Sequence, residues 1–287
     1  MKIVKNALMS EFTSFKVGGP ADRLIIVDSV DELRKVLEEI DEKQAKHVFI
    51  GNGSNVIFSD EGYRGTVIKA GEELSEIQVL GNKLVCGSAC LMSKVARAAL
   101  EAGLTGFEFA SGIPGSIGGA IFMDAGAYGG EMRDIVEAVT VVSGDGKELK
   151  TLSVDEMDFG YRTSRLQSTD EIVVSVLLNL EPGNKEEIQA KMKELTQKRN
   201  EKQPVQYPSA GSFFKRPEGH FAGKLIDDAG LRGFTVGGAQ VSEKHCGFVI
   251  NKGGATCEEI KHLMVLVQEV VLEKFGVKLE PEVRFID

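Results

Sequence analysis

Tryptophan is absent from the 287 residues, and proline (7), histidine (4) and cysteine (4) are scarce. Cys86, Cys90, Cys246 and Cys257 are too few and too scattered for a disulfide scaffold. Cys86 and Cys90 are spaced C-x3-C, but no second pair or nearby histidine completes a zinc site, so no metal is expected. All four read as reduced thiols of a cytoplasmic protein. No window approaches 18 consecutive apolar residues, which excludes a membrane-spanning helix. The opening MKIVKNALMSEF lacks the apolar run of a signal peptide. Lys and Arg (34) are outnumbered by Asp and Glu (43), for a net charge of −9. There is no basic surplus to neutralise a phosphate backbone, so nucleic acid is not an expected partner. Small anions remain possible, because local donors bind them whatever the total charge.

Glycine, in contrast, is plentiful and uneven. Seven of the 21 residues from Ala110 to Gly130, ASGIPGSIGGAIFMDAGAYGG, are glycine. Such a composition specifies no helix or strand before about Ala120. It suits a backbone that approaches a ligand closely, above all a phosphate held by bare N–H groups. A tight buried crossover is the competing reading. Neither a Walker loop nor a G-x-G-x-x-G fingerprint is present.

The flanking chain reads as alternating strands and helices. Leu24–Val27 is a strand, Ser29-x-x-Glu32 opens a helix as a capping box, and Val48–Ile50 is the next strand. That strand runs into Gly51-Asn52-Gly53-Ser54-Asn55, a small-residue loop at a strand's carboxyl end, where α/β sheets place ligands. Val56–Phe58 and Thr66–Lys69 are expected to continue the sheet. Leu84–Cys86 is a strand, and Leu91–Ala102 an amphipathic helix closed by Gly103. Ile135–Val142 and Glu148–Leu152 flank a hairpin signal at Gly144-Asp145-Gly146, and Ile172–Leu180 is a buried strand. A charged helix spans about Lys185 to Lys202 and ends before Pro204. Beyond it come a helix near Gly223–Ala229, a strand at Phe248–Ile250, a helix from Thr256-x-x-Glu259 to about Phe275, and a closing strand Lys278–Ile286. The class is α+β or α/β, and the main boundary falls near 202.

Three polar residues sit in unusual company. Arg162 lies between Tyr161 and Thr163, Ser212 between Gly211 and two phenylalanines, and Glu282 between Pro281 and Val283. Taken singly, a salt-bridge partner, a turn residue and a solvated edge glutamate explain them better. Lys244 and His245 together could hold an anion.

The ordered set of motifs is more specific. It comprises FKVGGPA (15–21), GNGSN (51–55), SGIPGSIGGA (111–120), YR (161–162), AGSFFK (210–215), KLID (224–227) and EPEVRF (280–285). Along nearly its whole length the chain resembles the UDP-N-acetylmuramate dehydrogenase family, also called UDP-N-acetylenolpyruvoylglucosamine reductases, of bacterial peptidoglycan synthesis. The resemblance implies an α+β fold with a two-part FAD-binding domain of the PCMH/vanillyl-alcohol-oxidase type over 1–202 (about 1–80 and 81–202). A smaller α+β substrate-binding domain would cover 203–287, its last strand returning to the flavin. It implies FAD held by Gly51, Asn52, Gly53, Ser54, Asn55, Ser111, Pro114, Gly115, Ser116, Gly118 and Gly119, with NADPH as co-substrate. It implies UDP-N-acetyl-enolpyruvylglucosamine as substrate, reduced in a second half-reaction. Arg162 would hold charge building on the substrate carboxylate, Ser212 would donate a proton, and Glu282, with a raised pKa, would act beside Arg162. Arg199, Lys202, Lys215, Lys224, Lys244 and His245 are candidates for the diphosphate. A cytoplasmic monomer of the family's shorter type is expected. Arg216 and Asp124 stand where the family commonly has asparagine. An FAD-dependent oxidase on the same scaffold and a non-enzymatic nucleotide-binding protein are the alternatives; the match over 203–287 disfavours the first, and the joint presence of Arg162, Ser212 and Glu282 the second.

Overall fold

The computed structural model describes residues 1–287. The chain divides into two compact units, each assembled from separate segments. The first takes Met1–Val4, Arg23–Asn52 and Gly65–Arg199; the second takes Lys5–Asp22, Gly53–Arg64 and Asn200–Asp287.

Strands β1 (Lys2–Leu8), β2 (Pro20–Val27), β3 (His47–Ile50) and β5 (Tyr63–Ala70) form one sheet in the order β1-β2-β5-β3, with β3 and β5 parallel. Helix α1 (Val30–Glu42) follows β2. Leu33, Val36, Leu37 and Ile40 recur at helical spacing and are all buried, against Ile25, Val27 and Ile68. Removing each such side chain from water contributes about 1.5–3 kcal/mol. The expected capping box forms only in part. Ser29 Oγ accepts the Glu32 N–H, but the Glu32 carboxylate turns to the Asp28 N–H and the N-terminal ammonium instead of the Ser29 N–H.

The first unit's other sheet is antiparallel throughout. It contains β6 (Ile77–Leu80), β7 (Lys83–Gly87), β8 (Val136–Val142), β9 (Leu149–Ser153) and β10 (Ile172–Asn179), in the order β9-β8-β10-β7-β6. The β-branched residues of β10, Ile172, Val173, Val174 and Val176, are all buried. Helix α2 (Met92–Ala102) ends at Gly103, whose φ of 69° gives the left-handed cap the sequence called for. Helix α3 (Ile117–Phe122) begins three residues earlier than glycine content suggested, and runs through Gly118 and Gly119. Tertiary bonds override propensity there: the Ile117 and Gly118 N–H groups donate to the Cys90 and Ser88 carbonyls, and Ser116 caps the turn. Helix α4 (Lys185–Lys202) has the predicted extent and buries only Ile188 and Leu195.

In the second unit, β11 (Ser209–Ser212), β12 (Thr235–Val236), β13 (Ala239–Val241) and β14 (Phe248–Asn251) make an antiparallel sheet in the order β11-β14-β13-β12. Helices α5 (Ala222–Asp228) and α6 (Cys257–Phe275) belong to the same core as Phe213, Phe214, Val249 and Leu279. Thr256 and Glu259 form a complete capping box on α6, and the Asp60 carboxylate accepts the Cys257 and Glu258 N–H groups at 2.7 and 3.0 Å.

Two strand expectations are corrected. β4 (Val56–Phe58) does not continue the first sheet but pairs in parallel with β15 (Arg284–Ile286). The closing strand is therefore only three residues long, not Lys278–Ile286. Pro281 has no N–H for a ladder, and residues 280–282 instead pair antiparallel with 213–215 before the chain crosses to β4.

Candidate active site

In the first unit the glycine-rich stretch collects most of the candidates. Gly51 packs so closely on Ser116 that a Cβ there would lie 2.4 Å from its Oγ, and the Asn52 amide donates to the Pro114 carbonyl at 3.4 Å. Ser111 Oγ donates to the Glu108 carbonyl, and the Gly115 carbonyl accepts the Met92 N–H. Gly118 is needed for packing, since its Cβ would stand 3.0 Å from the Ser88 Cβ and carbonyl. A Cβ on Gly119 would meet nothing nearer than Ser116 Oγ at 3.5 Å. Arg199 lies on the same stretch, its Nε 2.9 Å from where a Gly112 Cβ would be, and it interacts with Tyr128; burial lowers its pKa.

Arg162 meets the far end of that stretch. Gly160 and Thr163 exchange main-chain hydrogen bonds at 3.0 Å, closing a tight turn with Arg162 at φ +58°, a region costly for a non-glycine residue. Its guanidinium donates to the carbonyls of Gly126 (3.0 Å) and Asp124 (3.4 Å) and lies 4.9 Å from the Tyr161 ring centre. Ser164 and Gln167 bind the Phe122 carbonyl, and Gln167 also binds that of Arg162.

The loop 51–55 is held by its carbonyls. Lys69 Nζ, which burial makes less basic, donates to the Gly51 carbonyl at 2.6 Å. Ser14 N–H donates to Gly53, and Arg284 N–H to Asn55. In a trans peptide the next N–H points opposite to its C=O. Asn52 and Ser54 therefore aim their N–H groups away from those partners. None of the main-chain N–H groups of Asn52, Gly53, Ser54 and Asn55 donates to another group of the chain. Gly53 has φ +67°, and a Cβ there would sit 2.2 Å from the Phe12 carbonyl oxygen.

In the second unit the segment after Ser212 pairs with the segment that carries Glu282. The Phe213 carbonyl, one residue after Ser212, accepts the Glu282 N–H at 2.9 Å, and the Asn55 amide donates to the Glu282 carbonyl at 3.0 Å. Gly211, at φ +78°, makes the irregular step in β11 that leads to an exposed Ser212. Lys215 stands 4.0 Å from Glu280. Lys224 pairs with Asp228 along α5, Lys244 Nζ donates to the Asn200 carbonyl, and Lys202 is exposed at the end of α4. His245 lies beside Gly223 and against Phe248. Burial lowers its pKa, with Arg232 and Lys202 adding to the effect, and its Nδ1 accepts the Gly247 N–H at 3.1 Å. His245 is thus a neutral ring at pH 7, with Nδ1 as the acceptor and the proton on Nε2.

Sequence reasoning missed Lys69, Arg133 and the place of Asp124. For Lys69 the only signal was a lysine following the apolar pair Val67-Ile68 in a strand, where it pairs in register with Ile50. Asp124 stood out only as a departure from the family's asparagine, and Arg133 carried no signal, because no periodicity relates the two.

Known proteins resemble both portions of the chain. Residues 203–286 match the family described as "UDP-N-acetylenolpyruvoylglucosamine reductase, C-terminal domain", and residues 21–152 an "FAD binding domain" family. A UDP-N-acetylenolpyruvoylglucosamine reductase of Caldanaerobacter subterraneus subsp. tengcongensis is 50% identical over 285 residues, 99% of this chain and 94% of that protein. One from Lactiplantibacillus plantarum is 49% identical over 286 residues, covering 100% and 94%. The crystal structure of UDP-N-acetylenolpyruvylglucosamine reductase from Thermus caldophilus superposes with a TM-score of 0.85 at 36% identity, covering 100% of this chain and 98% of that one. No helix is long and apolar enough to cross a membrane.

Proposed function

The chain belongs to the UDP-N-acetylenolpyruvoylglucosamine reductase family, and from that membership we propose that it reduces the enolpyruvyl ether of UDP-N-acetylglucosamine to UDP-N-acetylmuramate, with FAD as cofactor and NADPH as the electron source. The setting is the cytoplasm, where its four free cysteines remain thiols, and the step serves peptidoglycan synthesis. Residues 1–202 are read as the FAD-binding domain and 203–287 as the substrate domain.

The residues present fit a flavin nucleotide. Asn52, Gly53, Ser54 and Asn55 offer main-chain donors that the chain leaves unused, and Gly119 leaves room beside Ser116. These residues, with Ser111, Pro114, Gly115, Ser116 and Gly118 shaping the neighbouring stretch, would hold its pyrophosphate. Bound FAD supplies hydride transfer, which no side chain of the protein can perform. The protein's own part is to hold the substrate and move a proton. Arg162 is read as the clamp on the substrate carboxylate, a planar donor matched to a planar acceptor. Ser212 is read as the group that would give its proton to the carbon beside that carboxylate. Glu282 acts with Arg162 on the charge that develops. Arg199, Lys202, Lys215, Lys224, Lys244 and the Nε2–H of His245 are the candidates for the diphosphate.

The observation that carries the proton-transfer assignment is the hydrogen bond between the Glu282 N–H and the Phe213 carbonyl. It holds the main chain at Glu282 against the residue that follows Ser212, so the two candidates lie on adjacent segments although 70 positions separate them in sequence. Two-step mixing tests the reading: NADPH first, then the enolpyruvyl substrate, with flavin absorbance followed. Ser212→Ala is expected to leave reduction by NADPH near its original rate and to slow reoxidation by substrate about 10²–10⁴-fold. Equal slowing of both steps would reject the proton-donor role. Reoxidation by air but not by that substrate in the unaltered protein would reject the activity.

A further inference from the structure

Four of the seven non-glycine residues with positive φ are Asp124, Tyr128, Asp158 and Arg162. They cluster on the glycine-rich stretch and on the segment that carries Arg162. Strain of this kind persists only where surrounding contacts impose it. At Asp124 the imposing contact is visible. Its carboxylate is fully buried, pairs with Arg133 Nε at 2.7 Å and accepts the Arg133 main-chain N–H at 3.0 Å. Arg133 also pairs with Glu131 at 2.8 Å and donates to the Phe159 carbonyl at 3.5 Å, one residue before the turn that holds Arg162. From that turn Arg162 reaches back to the carbonyls of Asp124 and Gly126. The loop of contacts closes on the residue where it began.

Stability alone does not account for a buried ion pair, because desolvation consumes most of the attraction. Burial in fact pushes the Asp124 carboxyl above the usual carboxylate range, against the pull of the Arg133 N–H and charge. What the pair does provide is geometry.

We propose that the Asp124–Arg133 pair is the positioning device for Arg162: it fixes the carbonyls on which the guanidinium rests and the turn that presents it, and so sets how well Arg162 meets the substrate carboxylate. The inference rests on the reading of Arg162 as that clamp. Neither Asp124 nor Arg133 touches the reacting atoms; both act through Arg162.

The test is single-turnover mixing of the flavin-loaded full chain, comparing Arg133→Met, Arg162→Lys and the two together, with calorimetric binding of UDP-N-acetylmuramate to the oxidised protein as a second readout. Misplacing a catalytic group by about 1 Å costs on the order of 100-fold, so Arg133→Met is expected to slow substrate-dependent reoxidation about 10–100-fold. Reduction by NADPH should stay within about threefold, since no contact of that step is altered. Product binding should weaken, and Arg133→Lys should recover part of the loss. The double variant should be no slower than Arg162→Lys alone, because a positioning residue has nothing left to position. Multiplied losses in the double variant, or equal slowing of both half-reactions by Arg133→Met, would overturn the proposal. If Arg133→Met does not fold, Asp124→Asn/Arg133→Met removes both charges without stranding a buried one, and the same comparison applies. If Arg162→Lys itself leaves reoxidation unchanged, the clamp reading fails, and the inference falls with it through a separate measurement.

Discussion

Two glycine-rich segments look alike in composition and behave differently. In 51–55, the carbonyls of Gly51, Gly53 and Asn55 are taken by Lys69, Ser14 and Arg284, and four successive N–H groups stay unused. In 115–120 the N–H groups are consumed internally: Ile117 by Cys90, Gly118 by Ser88, Gly119 by Ser116 Oγ and Ala120 by the Ser116 carbonyl. The first segment has the form of an anion cradle. The second is chiefly a packing element, whose glycines let α3 approach the 88–90 loop. Glycine content reports only that a backbone comes close to something. Which groups of that backbone remain available depends on what has bonded to the others.

The comparison can be broken most severely at Gly53. Gly53→Ala forces a Cβ to within 2.2 Å of the Phe12 carbonyl oxygen at φ +67°. We expect about 2 kcal/mol or more of lost stability, read from denaturant unfolding. Flavin affinity should fall at least about 100-fold by fluorescence titration. A folded variant with normal affinity would show that the loop is not the cradle.

A paired substitution sharpens the contrast within α3. Gly118→Ala meets the Ser88 Cβ and carbonyl at 3.0 Å, and the carbonyl cannot retreat without losing the Gly118 N–H. It should cost about 1–2 kcal/mol with or without flavin. Gly119→Ala meets only Ser116 Oγ at 3.5 Å, so the apoprotein should be unchanged or up to about 1 kcal/mol more stable. Its flavin affinity should drop if the cofactor lies against it. Identical melting behaviour of the two variants would remove the distinction.

The gentlest intervention is Lys69→Met, which frees the Gly51 carbonyl while preserving an unbranched apolar stem. Losing one charged hydrogen bond that orients the loop should weaken flavin binding about tenfold, with little change in melting temperature. Undiminished affinity would mean that the Asn52 N–H does not depend on how the Gly51 peptide is held.

Much of this architecture was legible along the chain. Helix α4 begins and ends where charge and Pro204 place it, Gly103 closes α2, and the Thr256/Glu259 box opens α6. Each signal acts over a single turn, so neighbours in sequence suffice to read it. The motif order also carried the family, and the antiparallel pairing of 213–215 with 280–282 joins Ser212's segment to Glu282's. Strand partners were less accessible. Val56–Phe58 is apolar enough for any central strand, and nothing local distinguishes β15 from β3 as its neighbour. The left-handed backbone of Arg162 and the Asp124–Arg133 pair were invisible, because arginine gives no warning of positive φ and a buried ion pair has no period.

Sequence alone determined where the helices other than α3 start and stop, which family the chain joins, and where side chains are absent. Caps, periodicity and composition are local, and they survive in any fold that contains them. Tertiary structure alone decided which N–H groups of the loop are left to a ligand and what holds Arg162 in place. Those outcomes depend on partners such as Lys69, Ser14, Arg284 and Arg133, which reach their sites only when the chain has folded, and a hydrogen bond is indifferent to how far apart its two ends lie in sequence.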